Sequence, residues 1–185
     1  MTKHLFDAVL ISSIPNITYL TNFSHFSKDE REAFLFIAFD KQYILTDGRY
    51  TEAVKNHMRN QILSLPKYDL IEISSKFTFE KALKDLAKKH KVKRVGFDYH
   101  NITVAEHKKL SSVFKNIKHF DINSLRTIKS NQEILEIEKA CRLGDKTFKY
   151  ILNRIKRGIT EKQLSFEIEF FIKKNGADIS FPPIV

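Results

Sequence analysis

Ala33-Phe34-Leu35-Phe36-Ile37-Ala38-Phe39, then Asp40-Lys41, then Gln42-Tyr43-Ile44-Leu45-Thr46, is the stretch that decides the fold. Seven consecutive apolar residues fit a strand buried on both faces better than an amphipathic helix. Asp40-Lys41 is a polar pair between two strand-forming runs, so the segment reads as a β-hairpin with a two-residue connection at those residues. Upstream, Ala8-Val9-Leu10-Ile11 is a second short, continuously apolar run, as expected of a central strand. Downstream, Asp47-Gly48 breaks the returning strand, and Tyr50 to about Met58 has helical composition. Gln61 to Leu65, closed by Pro66, reads as a strand. Apolar residues at 79, 82, 83, 86 and 87 form a helical stripe within 77–90. Arg94 to Phe97 is again a strand. Thr103-Val104-Ala105-Glu106 is a capping box, in which hydroxyl and carboxylate satisfy free backbone N–H groups, and it opens a helix to about Phe114. Ile117 to Ile122 closes the series as an edge strand. Strands and helices alternating in this way predict an α/β domain of about six strands over residues 1–122.

Residues 123–129 read as a connection, and 130–185 as a second, mostly helical segment. Ser130-Asn131-Gln132-Glu133 is a second capping box. Behind it Ile134, Ile137, Cys141, Gly144, Phe148, Ile151 and Ile155 follow in alternating steps of three and four, one stripe of a long helix that Gly158 stops. Cys141 lies on the stripe and is expected to be a buried structural thiol. Thr160-Glu161-Lys162-Gln163 is a third capping box, and Asn175-Gly176 ends the helix it starts. Ser180-Phe181-Pro182-Pro183-Ile184-Val185 reads as the start of a further strand. An apolar strand in that place lacks partners and cover, which predicts the front part of a longer protein.

Composition narrows the function. Of 185 residues 42% are hydrophobic, enough for a core, and the five glycines and four prolines leave little room for flexible linkers. A single cysteine excludes an intrachain disulfide. The N-terminal residues lack the apolar core of a signal peptide, and no stretch approaches the ~18 apolar residues of a membrane span. These features predict a cytoplasmic protein with no membrane partner. The formal charge of +10 raises an acidic partner. The one dense basic run, Lys88-Lys89-His90-Lys91-Val92-Lys93-Arg94, falls at a predicted helix end, where cations oppose the dipole. No aromatic residues interleave it, so a nucleic-acid partner is not expected. None of the seven histidines stands in an HExxH or paired CxxC context, and no phosphate loop or nucleophile elbow occurs.

Three groups of residues carry a family resemblance. They are Asn16-Ile17-Thr18-Tyr19-Leu20-Thr21-Asn22-Phe23; Ile44-Leu45-Thr46-Asp47-Gly48-Arg49-Tyr50; and Arg126-Thr127-Ile128-Lys129-Ser130 with Glu133, Glu138, Ala140 and the Gly176 to Val185 tail. In this order they resemble the aminopeptidase P, prolidase and creatinase family. The first two mark its creatinase-type N-terminal domain and the third the opening of its pita-bread catalytic domain. The resemblance implies a parent Xaa-Pro peptidase with two divalent ions (Mn²⁺, Co²⁺ or Zn²⁺) and a proline-containing peptide substrate. It places the metal ligands after Val185, so no catalytic or metal residue is expected in this chain. It implies that the N-terminal part shapes the cleft entrance and builds a homodimer. Asn22, His25 and Arg31 are then candidates for the substrate rim, with Arg31 suited to a substrate carboxylate. Asp47, Gly48, Arg49 and Tyr50 are expected to pin the strand-to-helix turn. A non-enzymatic binding module on the same scaffold, and a basic nucleic-acid-binding domain, are the alternative readings.

Overall fold

The central strands of the sheet are short apolar runs, and its edge strands are mixed in polarity. The computed structural model describes residues 5–27, 30–39, 41–60 and 67–185. Among the described residues six strands form one mixed sheet: β1 (Ala8–Ile11), β2 (Ala33–Ala38), β3 (Lys41–Asp47), β4 (Tyr68–Ile73), β5 (Arg94–Phe97) and β6 (Asn116–His119), in the order β4-β3-β2-β1-β5-β6. The chain falls into two compact units, residues 1–126 and 127–185.

In the first unit β1 is central and pairs antiparallel with β2 and parallel with β5. The hairpin joins β2 to β3 with Ala38 opposite Lys41, so the two-residue connection is Phe39-Asp40 and not Asp40-Lys41. Asp40 lies outside the described residues. Phe39 takes the left-handed conformation (φ 54°) that the first place of such a tight hairpin demands, while Lys41 already belongs to the ladder. The crossover through α2 (Gly48–Asn60) sets β4 parallel to β3.

Alternation along the strands supplies two apolar faces. One carries Leu10, Phe36, Tyr43, Leu45, Val95 and Phe97, covered by α3 (Phe79–Lys89) and α4 (Val104–Val113). The other carries Ile11, Leu35 and Ile44, covered by α1 (Ile14–Thr21), α2 and the buried rings of Phe23 and Phe26. At Gly96 the second face is closed by aromatic rings. A Cβ there would stand 3.1 Å from Phe120 and 3.2 Å from Phe6, closer than side chains ordinarily tolerate.

The first unit also departs from the expectation at α1, β4 and β6. The strand β6 spans Asn116–His119 where one over Ile117–Ile122 was expected, Phe120 and Ile122 packing into the core beyond it. Residues 14–21, to which the sequence reading assigned no element, form α1. Pro15 sits in the first turn, where its missing N–H costs nothing, and Ile14, Ile17 and Thr21 turn to the core. The strand expected at Gln61–Leu65 lies outside the described residues. A strand that the sequence reading did not assign stands at Tyr68–Ile73, with Asp69 and Glu72 exposed between apolar neighbours.

In the second unit α5 (Asn131–Leu152) and α6 (Glu161–Lys174) begin at the capping boxes of Ser130 and Thr160. The helix α5 ends at Leu152, short of the expected stop at Gly158. Arg154 and Ile155 both hydrogen-bond back to the Ile151 carbonyl, and Gly158 (φ 91°) turns the chain toward Thr160. Tyr150 stacks on Phe171 with ring centroids 4.4 Å apart and donates its hydroxyl to Glu167. Cys141 is exposed rather than buried. Thr147 and Ile151, near the C-terminal end of α5, are its buried residues, so its stripe is covered only there. Ser180–Val185 carries no strand; Pro182 and Pro183 remove two of the N–H donors a ladder would use. Among the described residues no helix is long and apolar enough to cross a membrane.

A single ion pair closes the start of β1 onto β5. The Asp7 carboxylate accepts from the backbone N–H groups of Lys93 (2.9 Å) and Arg94 (2.8 Å) and pairs with the Arg94 guanidinium at 2.8 Å. The Arg94 hydrogen bond, chiefly, holds its pKa down from 3.8 to about 2. A carboxylate with a depressed folded pKa stabilises the fold above its unfolded pKa, and that contribution is lost as pH falls through the folded value. Asp7→Asn is therefore expected to cost about 1–2 kcal/mol at pH 7. The difference between Asp7→Asn and the parent should shrink between pH 4 and 2 in urea titrations; a difference independent of pH would refute the assignment.

Candidate functional site

The segment from Asn22 to Glu32, between α1 and β2, gathers most of the candidate residues. Asn22 ends α1 in the left-handed conformation (φ 56°), its N–H bonding the Thr18 carbonyl at 2.8 Å. Asparagine tolerates that region better than most residues, so it serves where a glycine otherwise would. The Thr21 hydroxyl donates to the Ile17 carbonyl (2.7 Å) and accepts from the Phe23 N–H (3.2 Å), which turns the chain inward. Phe23 then fills the core, with edge contacts to Phe26, His57 and His25. His25 itself is exposed, its ring propped against Phe23 at 5.3 Å.

The far end of this segment is pinned by a carboxylate that the sequence did not single out. The Glu32 side chain is only 3% exposed. Its Oε2 accepts from the Ser27 N–H (2.9 Å) and from the Tyr50 hydroxyl, and Oε1 faces the Arg49 guanidinium at 3.2 Å. The Glu32 backbone carbonyl accepts from the Thr46 hydroxyl at 2.7 Å. The Tyr50 hydrogen bond lowers the Glu32 pKa and, from the other side, raises that of Tyr50. Arg49 also clasps Asp47, whose carboxylate accepts from its Nε, Nη2 and backbone N–H. That clasp is the main cause of a lowered Asp47 pKa. The helix α2 begins at Gly48, inside the same turn. Asp47, Arg49 and Tyr50 thus meet Glu32 and hold the 22–32 segment against the β3–α2 junction.

Arg31 is placed elsewhere. Its two Nη groups donate to the Asn101 carbonyl (2.9 Å) and side-chain oxygen (2.8 Å), and its Nε pairs with Glu106 at 3.0 Å. The guanidinium expected to face a substrate carboxylate spends its fork on the entrance to α4. Asn101 and Glu106 lie 70 and 75 residues away in sequence, beyond the reach of any local pattern.

A second polar knot fixes the far end of the unit. Asn16 on α1 is fully buried; its amide donates to Asn123 Oδ1 (3.1 Å) and accepts from Arg126 Nη1 (2.9 Å). The Arg126 guanidinium lies over the Tyr19 ring, 5.7 Å from its centre.

Among the described residues no three His, Cys, Asp or Glu side chains come together as metal ligands require. The acids of the site are committed to Arg49, Arg31 and backbone donors. The described residues of the site offer no free donor set for the pair of divalent ions that the resemblance implies for the parent.

A six-stranded mixed sheet with helices on both faces, followed by a helical pair, defines a creatinase-type N-terminal unit and the first helices of a second domain. Residues 1–128 match the Creatinase/Prolidase N-terminal domain and residues 136–185 match Metallopeptidase family M24. The chain belongs to the creatinase/prolidase family. It is 30% identical over 178 residues to the uncharacterized peptidase YqhT of Bacillus subtilis, covering 94% of this chain and 46% of that protein. It is 27% identical over 184 residues to an Xaa-Pro dipeptidase of Pyrococcus horikoshii, covering 96% and 46%. The crystal structure of the prolidase from Pyrococcus horikoshii superimposes with a TM-score of 0.70 at 25% identity, over 92% of this chain and 45% of that one. The chain thus spans about half the length of the curated relatives it matches.

Proposed function

We propose that this chain is the non-catalytic N-terminal region of a cytoplasmic Xaa-Pro peptidase, shaping the entrance to the catalytic cleft and contributing to a homodimer. The observation that carries the reading is the order of the two family matches, N-terminal domain then M24 segment, over the front of relatives that are themselves peptidases. The geometry of the 22–32 segment supports it. The segment is pinned internally by Phe23 and Phe26 and at its end by Glu32, and it presents His25 outward. Anchored at both ends, with Asn22 and His25 exposed beside buried rings, the segment suits a rim that limits what enters, a job that needs position rather than chemistry.

In this reading Asn22 and His25 form the rim, and Arg31 supports it from behind through Asn101 and Glu106. The two divalent ions (Mn²⁺, Co²⁺ or Zn²⁺) and the proline-containing substrate belong to the whole peptidase. The purified 185-residue chain is expected to release no product from an Xaa-Pro dipeptide or a longer Xaa-Pro peptide, with or without Mn²⁺. Metal-dependent cleavage by this chain would overturn the proposal.

A further inference from the structure

The positive charge of the first unit is confined to one part of it. Residues 76–119 contain twelve lysines and arginines against four acids, whereas the rest of residues 1–126 contains nine against ten. The acids in 76–119 are largely spent. Glu80 pairs with Lys109 at 3.2 Å, Glu106 with Arg31 at 3.0 Å, and Asp98 is buried, capping the His100 N–H. Asp85 is exposed and makes no ion pair with a described residue. All eleven lysines of the segment are exposed, and Lys109 is the one with an ion pair.

The fold arranges these lysines on one surface. Ala82, Leu83 and Leu86 turn one side of α3 to the core, so Lys81, Lys84 and Lys88 form a stripe on the opposite side. At 1.5 Å per residue the stripe is about 10 Å long. The Lys109–Glu80 pair sets α4 beside α3, and Leu110 faces the core, which turns Lys108 outward. The helices α3 and α4 lead into the parallel neighbours β5 and β6, so Lys91 and Lys115, just past their C-terminal ends, lie at the same end of the sheet.

We infer that this α3–α4 face binds the phosphate backbone of duplex nucleic acid without reading sequence. From the overall charge and the 88–94 run, nucleic-acid binding is only an alternative reading of the sequence; the fold gives it a defined face. Charge complementarity points to a polyanion. The outward side of α3 carries no exposed large apolar residue and that of α4 carries Val104 alone, at its first turn, whereas protein interfaces use clustered aromatic or aliphatic anchors and peripheral membrane helices insert them. Lysines are point charges suited to phosphates and carry no bidentate base readout.

The test is fluorescence anisotropy of a labelled 20-base-pair duplex with the intact chain. Binding is expected at 50 mM salt. About four phosphate contacts give a log–log slope near −3.6, a loss on the order of 100-fold by 200 mM. Lys81→Gln/Lys84→Gln/Lys88→Gln/Lys108→Gln should weaken binding at least tenfold and flatten the slope. Lys55→Gln/Lys129→Gln/Lys146→Gln/Lys149→Gln, which removes equal charge elsewhere, should change it less than twofold. No binding at 50 mM overturns the inference, as does equal weakening by the two variants. Tighter binding to polyglutamate overturns it in favour of an acidic protein. Tighter binding to phosphatidylserine vesicles overturns it in favour of a membrane surface. Circular dichroism establishes that both variants are folded.

Discussion

Phe36→Ala is expected to lower the unfolding free energy of the first unit by about 3–5 kcal/mol, a large part of what a domain this size possesses. Phe36 is fully buried in β2, opposite Tyr43 on one neighbouring strand and Leu10 on the other. Its ring lies nearly parallel to Phe114, 6.5 Å away, at the end of α4. Removing it takes away apolar burial and leaves a cavity walled by both strands and a helix, with hydrogen-bonded ladders that resist collapse into the space. Phe36→Leu keeps most of the volume and should cost about 1–1.5 kcal/mol. Urea denaturation monitored by circular dichroism measures both. A loss below 1 kcal/mol for Phe36→Ala would mean that the two layers do not pack as described.

Glu32→Ala is the second large expected effect, about 3 kcal/mol at pH 7. The substitution leaves the Ser27 N–H and the Tyr50 hydroxyl without their acceptor and Arg49 without its buried partner. Glu32→Gln keeps an acceptor of the same shape and should lose about half as much. Tyr50→Phe removes one donor from a charged acceptor, a loss of about 1.5 kcal/mol. The ranking Ala > Gln in cost distinguishes a hydrogen-bonded carboxylate from mere filling of space. Equal losses for Glu32→Ala and Glu32→Gln, or a loss under 0.5 kcal/mol for Ala, would refute the network.

What the sequence made legible was local. β1 and β2 are continuous apolar runs, β3 and β5 carry shorter ones, and the starts of α4, α5 and α6 are written in Thr103, Ser130 and Thr160 with their partners three residues on. The helix α1 is not, because Pro15 and a β-branched Ile-Pro-Asn-Ile-Thr run argue against a helix while tertiary burial of Ile14 and Ile17 favours one. The turn expected at Asp40-Lys41 was displaced by one residue because strand register, not turn propensity, decided where Lys41 paired. Within the site, Asp47 with Arg49 spans two residues and was visible. Glu32 with Arg49 and Tyr50 spans 17 and 18, and Arg31 with Asn101 spans 70, so those partnerships depend on the finished fold. A buried acid placed just ahead of an apolar strand, as Glu32 stands before Ala33, is the one signal from which it could have been found.

The knot of Asn16, Asn123 and Arg126 ties residues 110 apart. It joins the first helix of the unit to its last described turn, so neither end frays independently. Releasing the C-terminal turn strips a fully buried amide of both partners, and loosening α1 strands the Arg126 guanidinium. The cost of that unmatched polarity makes the opening of the two ends a single cooperative event. The domain behaves as a loop fastened at its seam rather than as a chain with two free margins.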